Sequence, residues 1–522
     1  MKKILAAGAV VFGGLGVFGV LPNYLGMKAQ ESLEIQHRAL ADTFFFDMVS
    51  HKYERGWFTS TETTVVRVHP EILSNLGGYL PDNVKTVLEK PVVMVNHVKH
   101  YPFADGFTPV RAVVETEFQY DPEVQKTLSR FFGQQVPVSA HNVIKLDGSG
   151  RYTVKVAPFE YEELSGIKLD WKGMDAEVDY AANFTEYQSR FTLPGFKAVL
   201  ADKGSLNAEQ IEVAAKTYPG SNGLSLGSSE TKLGRFEIEW KDSISYNVRL
   251  NELINMVTDL QIGAFINPNG DIPPSKVSLD KLSYSTETEE KNGYIDSRGV
   301  FSFDKLNYGE NQYGPLNIDI AAEHLNAKAL ADMKKSLQRI AMDKYTGDQA
   351  RDQVLAAARN EGAPLFTDNP LFRIKRFEFQ TPQGHVNSRG QLSFDGLSKA
   401  DLESFPDMVK KMRVDLDLDV SQKLIEEFVI TQARSLFAVE DPNSEQEKQE
   451  VTDTIRLLVA GSIDTMIGEG HLKRSNGAVM TRLEIAGNRI TLNGKQFEAR
   501  SDDDDLWQGL EDTPASAPAA GK

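Results

Sequence analysis

Gly223-Leu224-Ser225-Leu226-Gly227 has the G-x-S-x-G spacing in which a serine hydroxyl serves as an acyl-transfer nucleophile. That chemistry needs a buried strand before the serine and a helix after it, so that the hydroxyl stands clear and backbone amides face the oxyanion. Here a polar turn, Tyr218-Pro219-Gly220-Ser221-Asn222, precedes Ser225, and the strand-like Arg235-Phe236-Glu237-Ile238-Glu239-Trp240 follows. The flanks argue against a nucleophile. The nine histidines are scattered, and only His97-x-x-His100 is close, where a strand gives way to a loop. With no H-E-x-x-H, the spacing predicts no catalytic zinc site. Asp415, Asp417 and Asp419 share one face of a strand whose other face is Val414, Leu416, Leu418 and Val420. Carboxylates two residues apart stand about 7 Å from one another, too far to share one calcium without ligands from elsewhere. Cysteine is absent, which removes thiolate metal sites, disulfides and cysteine nucleophiles together. No catalytic, cofactor-binding or metal residue is therefore predicted, and no cofactor.

Gly14-x-Gly16-x-x-Gly19 matches a dinucleotide fingerprint but lies inside the uncharged run from Ile4 to Leu21, with no strand before it and no acidic partner after it. That run, behind Lys2 and Lys3, is eighteen residues long, or about 27 Å as a helix, enough to span a hydrocarbon core. The two lysines predict a cytoplasmic N-terminus and an exported body. A cleaved signal peptide is the rival reading; the residues after Leu21 offer no small-x-small cleavage pair, which favours an uncleaved anchor. Ala9 and Gly13 have the small-xxx-small spacing that lets two such helices approach.

The elements that must carry any site are read as follows. Met27 to Val49 has helical spacing around Leu33, Leu40 and Phe44. Period-two, β-branched segments then dominate: Thr61 to Val68, Val92 to Val98, Ala112 to Tyr120, Tyr152 to Ala157, and the alternations at Ile167-Leu169-Trp171 and Ala176-Val178-Tyr180. One apolar and one polar face per strand predicts antiparallel sheet, not a doubly wound α/β enzyme. Gly293 to Leu306 (GYIDSRGVFSFDKL) and Gly384 to Leu397 (GHVNSRGQLSFDGL) repeat each other. Each copy predicts a hairpin, a connector, a strand and a helix. The shared Ser-Arg-Gly reads as strand: Gly299 and Gly390 as bulges, Arg298 and Arg389 on an exposed or paired face. Helices are predicted over Ala327 to Asn360, Ser398 to Met412, Ser421 to Ala438 and Ser444 to Ile467, and a closing hairpin over Val479 to Ile485 and Ile490 to Phe497.

The expected fold class is α+β: mostly antiparallel sheet, amphipathic helices concentrated in the C-terminal third, and one N-terminal transmembrane helix. The expected regions are 1–26 as anchor, 27–275 as a β-rich body, 276–500 as the repeat-bearing region, and 501–522 as a disordered acidic and Pro/Ala-rich tail.

Several segments together resemble the YdgA-like bacterial family, domain of unknown function 945. They are the charged-apolar start, Gly26-Met27-Lys28-Ala29-Gln30-Glu31, Tyr53-Glu54-Arg55-Gly56-Trp57-Phe58-Thr59-Ser60, Tyr313-Gly314-Pro315-Leu316 and the ending IAGNRITLNG from Ile485. At His100-Tyr101-Pro102-Phe103 a tyrosine stands where the family tends to have glycine. The resemblance implies a periplasmic protein anchored in the bacterial inner membrane, with homodimerisation among its implied partnerships and no catalytic residue to carry over.

Composition narrows function further. Of 522 residues, 57 are Lys or Arg and 74 are Asp or Glu, a net charge of −17 that gives no attraction for phosphate backbones, so nucleic acid is not an expected partner. The expected function is a non-catalytic envelope protein with a binding or assembly surface, its partner a lipid or another envelope protein. The alternative is an envelope hydrolase built around Ser225 or the His97/His100 pair.

Overall fold

The computed structural model describes residues 20–41, 46–70, 73, 88–101, 106, 108–240, 276–342, 347–433, 445–487 and 489–497. The chain divides into two units, Met1–Asp319 and Ile320–Lys522.

In the first unit, helix α1 (Leu21–Ala41) precedes a run of antiparallel strands. These are β1 (Phe46–Arg55), β2 (Thr59–Val68), β3 (Val92–Lys99), β4 (Val110–Gln119), β5 (Val138–Lys145) and β6 (Gly150–Val156), each paired with the next. Helix α2 (Pro122–Phe132) lies between β4 and β5, its first turn capped by the Asp121 carboxylate. Then come β7 (Phe159–Glu162), β8 (Ile167–Trp171), β9 (Met174–Tyr180), β10 (Tyr187–Leu200), β11 (Gly204–Pro219), β12 (Ser225–Trp240), β13 (Lys276–Lys291), β14 (Tyr294–Phe303), β15 (Lys305–Tyr308) and β16 (Asn311–Tyr313). The sheet continues from β6 through β9 and β10 to β11, β12, β13 and β14; β7 and β8 join it against β10, and β15 and β16 against β13. Strand β17 (Leu316–Asn326) crosses the unit boundary.

The core of this unit lies under α1. Leu25, Ala29 and Leu33 recur every four residues and so share one helix face. Ala29 and Leu33 pack on Val98, Ala112, Val114 and Ile144 from β3, β4 and β5. Pro22 and Leu25, just past the N-terminal apolar run, are buried within the protein. Residues 1–19, which hold most of the expected anchor, lie outside the described residues; among those described, no helix is long and apolar enough to cross a membrane.

The second unit holds helices α3 (Ala327–Met342), α4 (Gly347–Asn360) and α5 (Pro364–Thr367), and the hairpin β18 (Leu371–Thr381) with β19 (Gly384–Phe394). Helix α6 (Phe405–Lys411), β20 (Met412–Ser421), α7 (Gln422–Ala433) and α8 (Glu445–Gly468) follow, then β21 (Lys473–Ser475), β22 (Ala478–Ala486), β23 (Arg489–Leu492) and β24 (Lys495–Phe497). Its ladder runs β18, β19, β20, β22, β23, β24, all antiparallel.

The mostly antiparallel β architecture matches the alternation of the sequence; several boundaries do not. The first helix stops at Ala41, and Met48 and Val49 lie in β1, because this stretch pairs along its length with the β-branched β2. The single helix read over Ala327 to Asn360 is two, α3 and α4. The last strand read over Ile490 to Phe497 is also two, broken at Asn493-Gly494, where both residues have positive φ as an Asn-Gly turn requires. Against β13 no bulge forms at Gly299, which pairs in register with Thr286. At Gly390 the irregularity falls on the opposite strand, between Ile374 and Phe377. The tail at 501–522 and the segment 241–275 lie outside the described residues.

Candidate functional site

The structure separates the residues singled out by spacing. Ser225 is the first residue of the sixteen-residue strand β12, directly after a turn, and no helix follows it, so the hydrolase elbow is not formed. His97 is exposed on β3, 3.5 Å from Glu117, whereas His100 is fully buried. They are not two ligands of one ion. Asp415 is held by Arg482, Asp417 by Arg389, and Asp419 by His385 and Asn387, so these carboxylates form a paired ladder face. The two Ser-Arg-Gly arginines are equivalent: Arg298 Nε donates to Asp319 at 2.9 Å, and Arg389 Nε to Asp417 at 3.1 Å, each aspartate being the fourth residue of its aligned strand segment. The triplet is a strand-to-strand clamp used twice.

One serine–histidine–carboxylate set does form, from residues the spacing did not single out together. His385 Nδ1 lies 3.1 Å from Ser421 Oγ, and its Nε2 lies 3.2 Å from Asp419 Oδ1. Ser421 ends β20 directly before α7. Its Oγ also accepts the His385 backbone N–H at 2.9 Å, which ties it into the end of the β19–β20 ladder. In the first copy the residue between strand and helix is Asn326, whose side chain caps α3 at Ala329 N–H.

The motifs near the N-terminus meet around α1. His100 Nδ1 donates to the Pro22 carbonyl at 3.0 Å, and its Nε2 faces the Ser60 hydroxyl at 2.8 Å. Further along α1, Gln36 Nε2 donates to the Tyr180 hydroxyl, Tyr180 donates to Asn142 Oδ1, and Asn142 Nδ2 donates back to Gln36 Oε1. Tyr180 and Asn142 are buried and Gln36 half-buried, and burial pushes the Tyr180 phenol up to about 12. Arg111 adds a third tie, donating to Ser32 on the helix and to the Leu146 carbonyl.

Between these ties sits a buried carboxylate. Ser60, Glu62, Thr64 and Val66 point inward from β2, and Glu62 is 0% exposed. Its Oε2 accepts from Asn96 Nδ2 at 2.7 Å, and Asn96 in turn accepts from Thr116 at 2.6 Å. Its Oε1 faces His51 Nε2 at 2.9 Å and His37 Nδ1 at 3.3 Å. The three ligand-type atoms lie within 4.8 Å of one another. His37 Nδ1 is buried yet makes no hydrogen bond. Burial drives the His37 imidazole below its usual range, with the Glu62 charge opposing. The sequence carried one signal for this cluster, the parity of Glu62 with the inward Val66; the histidines come from α1 and β1, and no spacing rule joins them.

The long strands form a different surface. Phe159, Trp171, Phe196, Ala208, Phe236, Leu279 and Leu306 stand side by side across β7, β8, β10, β11, β12, β13 and β15. Two residues on, Tyr161, Leu169, Ala198, Leu206, Ile238, Val277 and Tyr308 form a second such row. The row between them is polar throughout, from Glu160 and Asp170 through Lys197, Asn207 and Glu237 to Ser278 and Asn307, and faces the other way. Seven strands make the apolar face roughly 29 Å wide. Phe131 and Phe132 of α2 pack on Phe159 at one end, while Trp171, Phe196, Phe236 and Leu279 are only half-buried. Towards the other end of these long strands lies a concavity of about 850 Å³ lined by Glu177, Arg190, Lys216 and Glu287 among others.

The family model described as bacterial protein of unknown function (DUF945) matches residues 1–499, in agreement with the resemblance of the motifs. No curated protein matches the chain.

Proposed function

The chain belongs to DUF945, a bacterial family of unknown function, and from that membership we propose that it is a non-catalytic envelope protein that binds lipid acyl chains along the apolar face of its long-stranded sheet. The N-terminal apolar run behind Lys2 and Lys3 supports placement at the inner membrane with the body in the periplasm. The observation that carries the binding reading is the pair of seven-strand apolar rows. A peptide or a polar metabolite needs several hydrogen-bonding groups to fix it, and among fourteen side chains these rows offer only the Tyr161 and Tyr308 hydroxyls and Trp171 Nε1; an acyl chain needs only apolar area. A photo-crosslinking side chain placed at Phe236 or Leu279, on the apolar face, should capture lipid in cells, and one placed at Glu237, on the polar row, should not. Capture of a second copy, or of another protein alone, would replace lipid binding with assembly.

A second reading rests on Ser421, His385 and Asp419: a hydrolase in which His385 takes the Ser421 proton and Asp419 steadies the ring. A fluorophosphonate probe tests it. Labelling at Ser421 that disappears in His385→Gln supports hydrolysis, and an unlabelled chain removes it.

A further inference from the structure

We propose that His37, His51 and Glu62 form a binding site for a divalent transition-metal ion of the zinc type. The donor set is two imidazole nitrogens and one carboxylate oxygen, which suits zinc, cobalt or nickel and not the all-oxygen preference of calcium or magnesium. Ligands 2.0–2.2 Å from a tetrahedral zinc stand roughly 3.3 Å from one another. Glu62 Oε1 lies 3.3 Å from His37 Nδ1 and 2.9 Å from His51 Nε2, close to that spacing. Asn96 engages the other carboxylate oxygen and is itself fixed by Thr116, an outer support of the kind that orients metal-binding carboxylates. An ordinary buried ion pair between Glu62 and His51 would satisfy the carboxylate but leave His37 Nδ1 buried, 3.3 Å from Glu62 Oε1 and without a hydrogen bond. An ion among the three uses that nitrogen. His51 is partly exposed, which gives the ion a route in and leaves a fourth position for water. Because His37 belongs to α1 while His51 and Glu62 belong to β1 and β2, the ion would clamp the N-terminal helix to the sheet.

The test uses the full chain, free of any histidine tag, stripped with chelator and titrated with cobalt(II). One equivalent should bind, with the intense visible absorption of four-coordinate cobalt, and zinc should displace it. His51→Gln and Glu62→Gln should abolish the signal, Asn96→Ala should weaken binding roughly 10- to 100-fold, and His97→Gln should leave it unchanged. If Glu62→Gln does not fold, the partly exposed His51 still supplies the test. Zinc should also raise the melting temperature of the wild-type chain and not of His51→Gln. No uptake by the wild-type chain, uptake that survives both ligand substitutions, or loss with His97→Gln overturns the site.

Discussion

A Cβ at Gly26 would stand 2.6 Å from Cε1 of the fully buried His100 ring, so α1 can lie on the sheet only because residue 26 has none. Glycine here serves close approach and not backbone freedom. The same ring is fixed at both nitrogens, by Pro22 on the helix and Ser60 on β2. Three family-like segments, around Gly26, Ser60 and His100, thereby converge on one contact that docks the N-terminal helix.

Gly26→Ala should destabilise the first unit. Overpacking a filled site costs about 1–3 kcal/mol, and the better helix propensity of alanine returns about 1 kcal/mol of it. Gly461, inside α8, is the matched control, since nothing lies within 4 Å of a Cβ built there. Gly461→Ala should therefore stabilise its helix by about 1 kcal/mol. Urea unfolding of both variants reads the difference, and equal shifts of the same sign would remove the steric account.

Alkaline stability should depend on Tyr180. Its folded pKa of about 12 lies above the ordinary 10.0 because burial penalises the phenolate. A raised folded pKa leaves its contribution fully present below pH 10 and removes it as pH climbs towards 12. Two pKa units correspond to about 3 kcal/mol. Tyr180→Phe should cost about 1–3 kcal/mol near neutrality, by leaving Asn142 Oδ1 without its donor, and should then lack that alkaline loss. Parallel decline of the two chains from pH 10 to 12 would show that Tyr180 is not the titrating group.

Strand parity was the most legible property of the sequence. It located β2, β3, β4, β6, β8 and β9 to within a few residues, and the repeat located both Ser-Arg-Gly hairpins, because a period of two survives any tertiary context that buries one face. Boundaries set by long-range pairing were not legible: Met48 and Val49 fit a helix locally and become strand through β2. Asn493-Gly494 is an Asn-Gly turn pair, but the apolar residues on either side give the whole segment the look of one strand. The metal-like cluster was legible only in part. Glu62 shares the inward parity of Val66, which marks a carboxylate bound for the interior, but partners from α1 and β1 are fixed by how the helix docks.

The repeated triplet separates packing from charge. Arg389 is largely exposed and its pair with Asp417 sits in solvent, so Arg389→Ala should change stability by no more than about 1 kcal/mol. Gly390 is the opposite case. A Cβ there would lie 2.8 Å from Leu416 Cα and closer still to the Asp415 carbonyl, so Gly390→Ala should cost about 1–3 kcal/mol. Thermal unfolding compares them; an arginine effect larger than the glycine effect would revive a functional role for the triplet.

The apolar rows make a prediction about what covers them. Phe236 is central in its row, between Ala208 and Leu279, and is half-buried in the chain alone. If that face only completes an internal core, Phe236→Lys should cost stability in detergent-free and lipid-free protein alike, at the several kcal/mol typical of a charge forced into a core. If acyl chains lie on it, the lipid-free chain should tolerate Phe236→Lys at about 1–2 kcal/mol, since much of the lysine stem can stay on the apolar surface with its ammonium in water. The lipid that co-purifies with the wild-type chain should then fall severalfold. Asn207→Lys places the same charge on the neighbouring row, which faces the other way, and should leave the lipid content unchanged. Mass spectrometry of extracted lipid, alongside unfolding of the delipidated chains, reads both quantities. Unchanged lipid in Phe236→Lys, or equal loss in the two variants, counts against acyl binding at this face, because only a ligand seated on the apolar rows distinguishes one side of the sheet from the other.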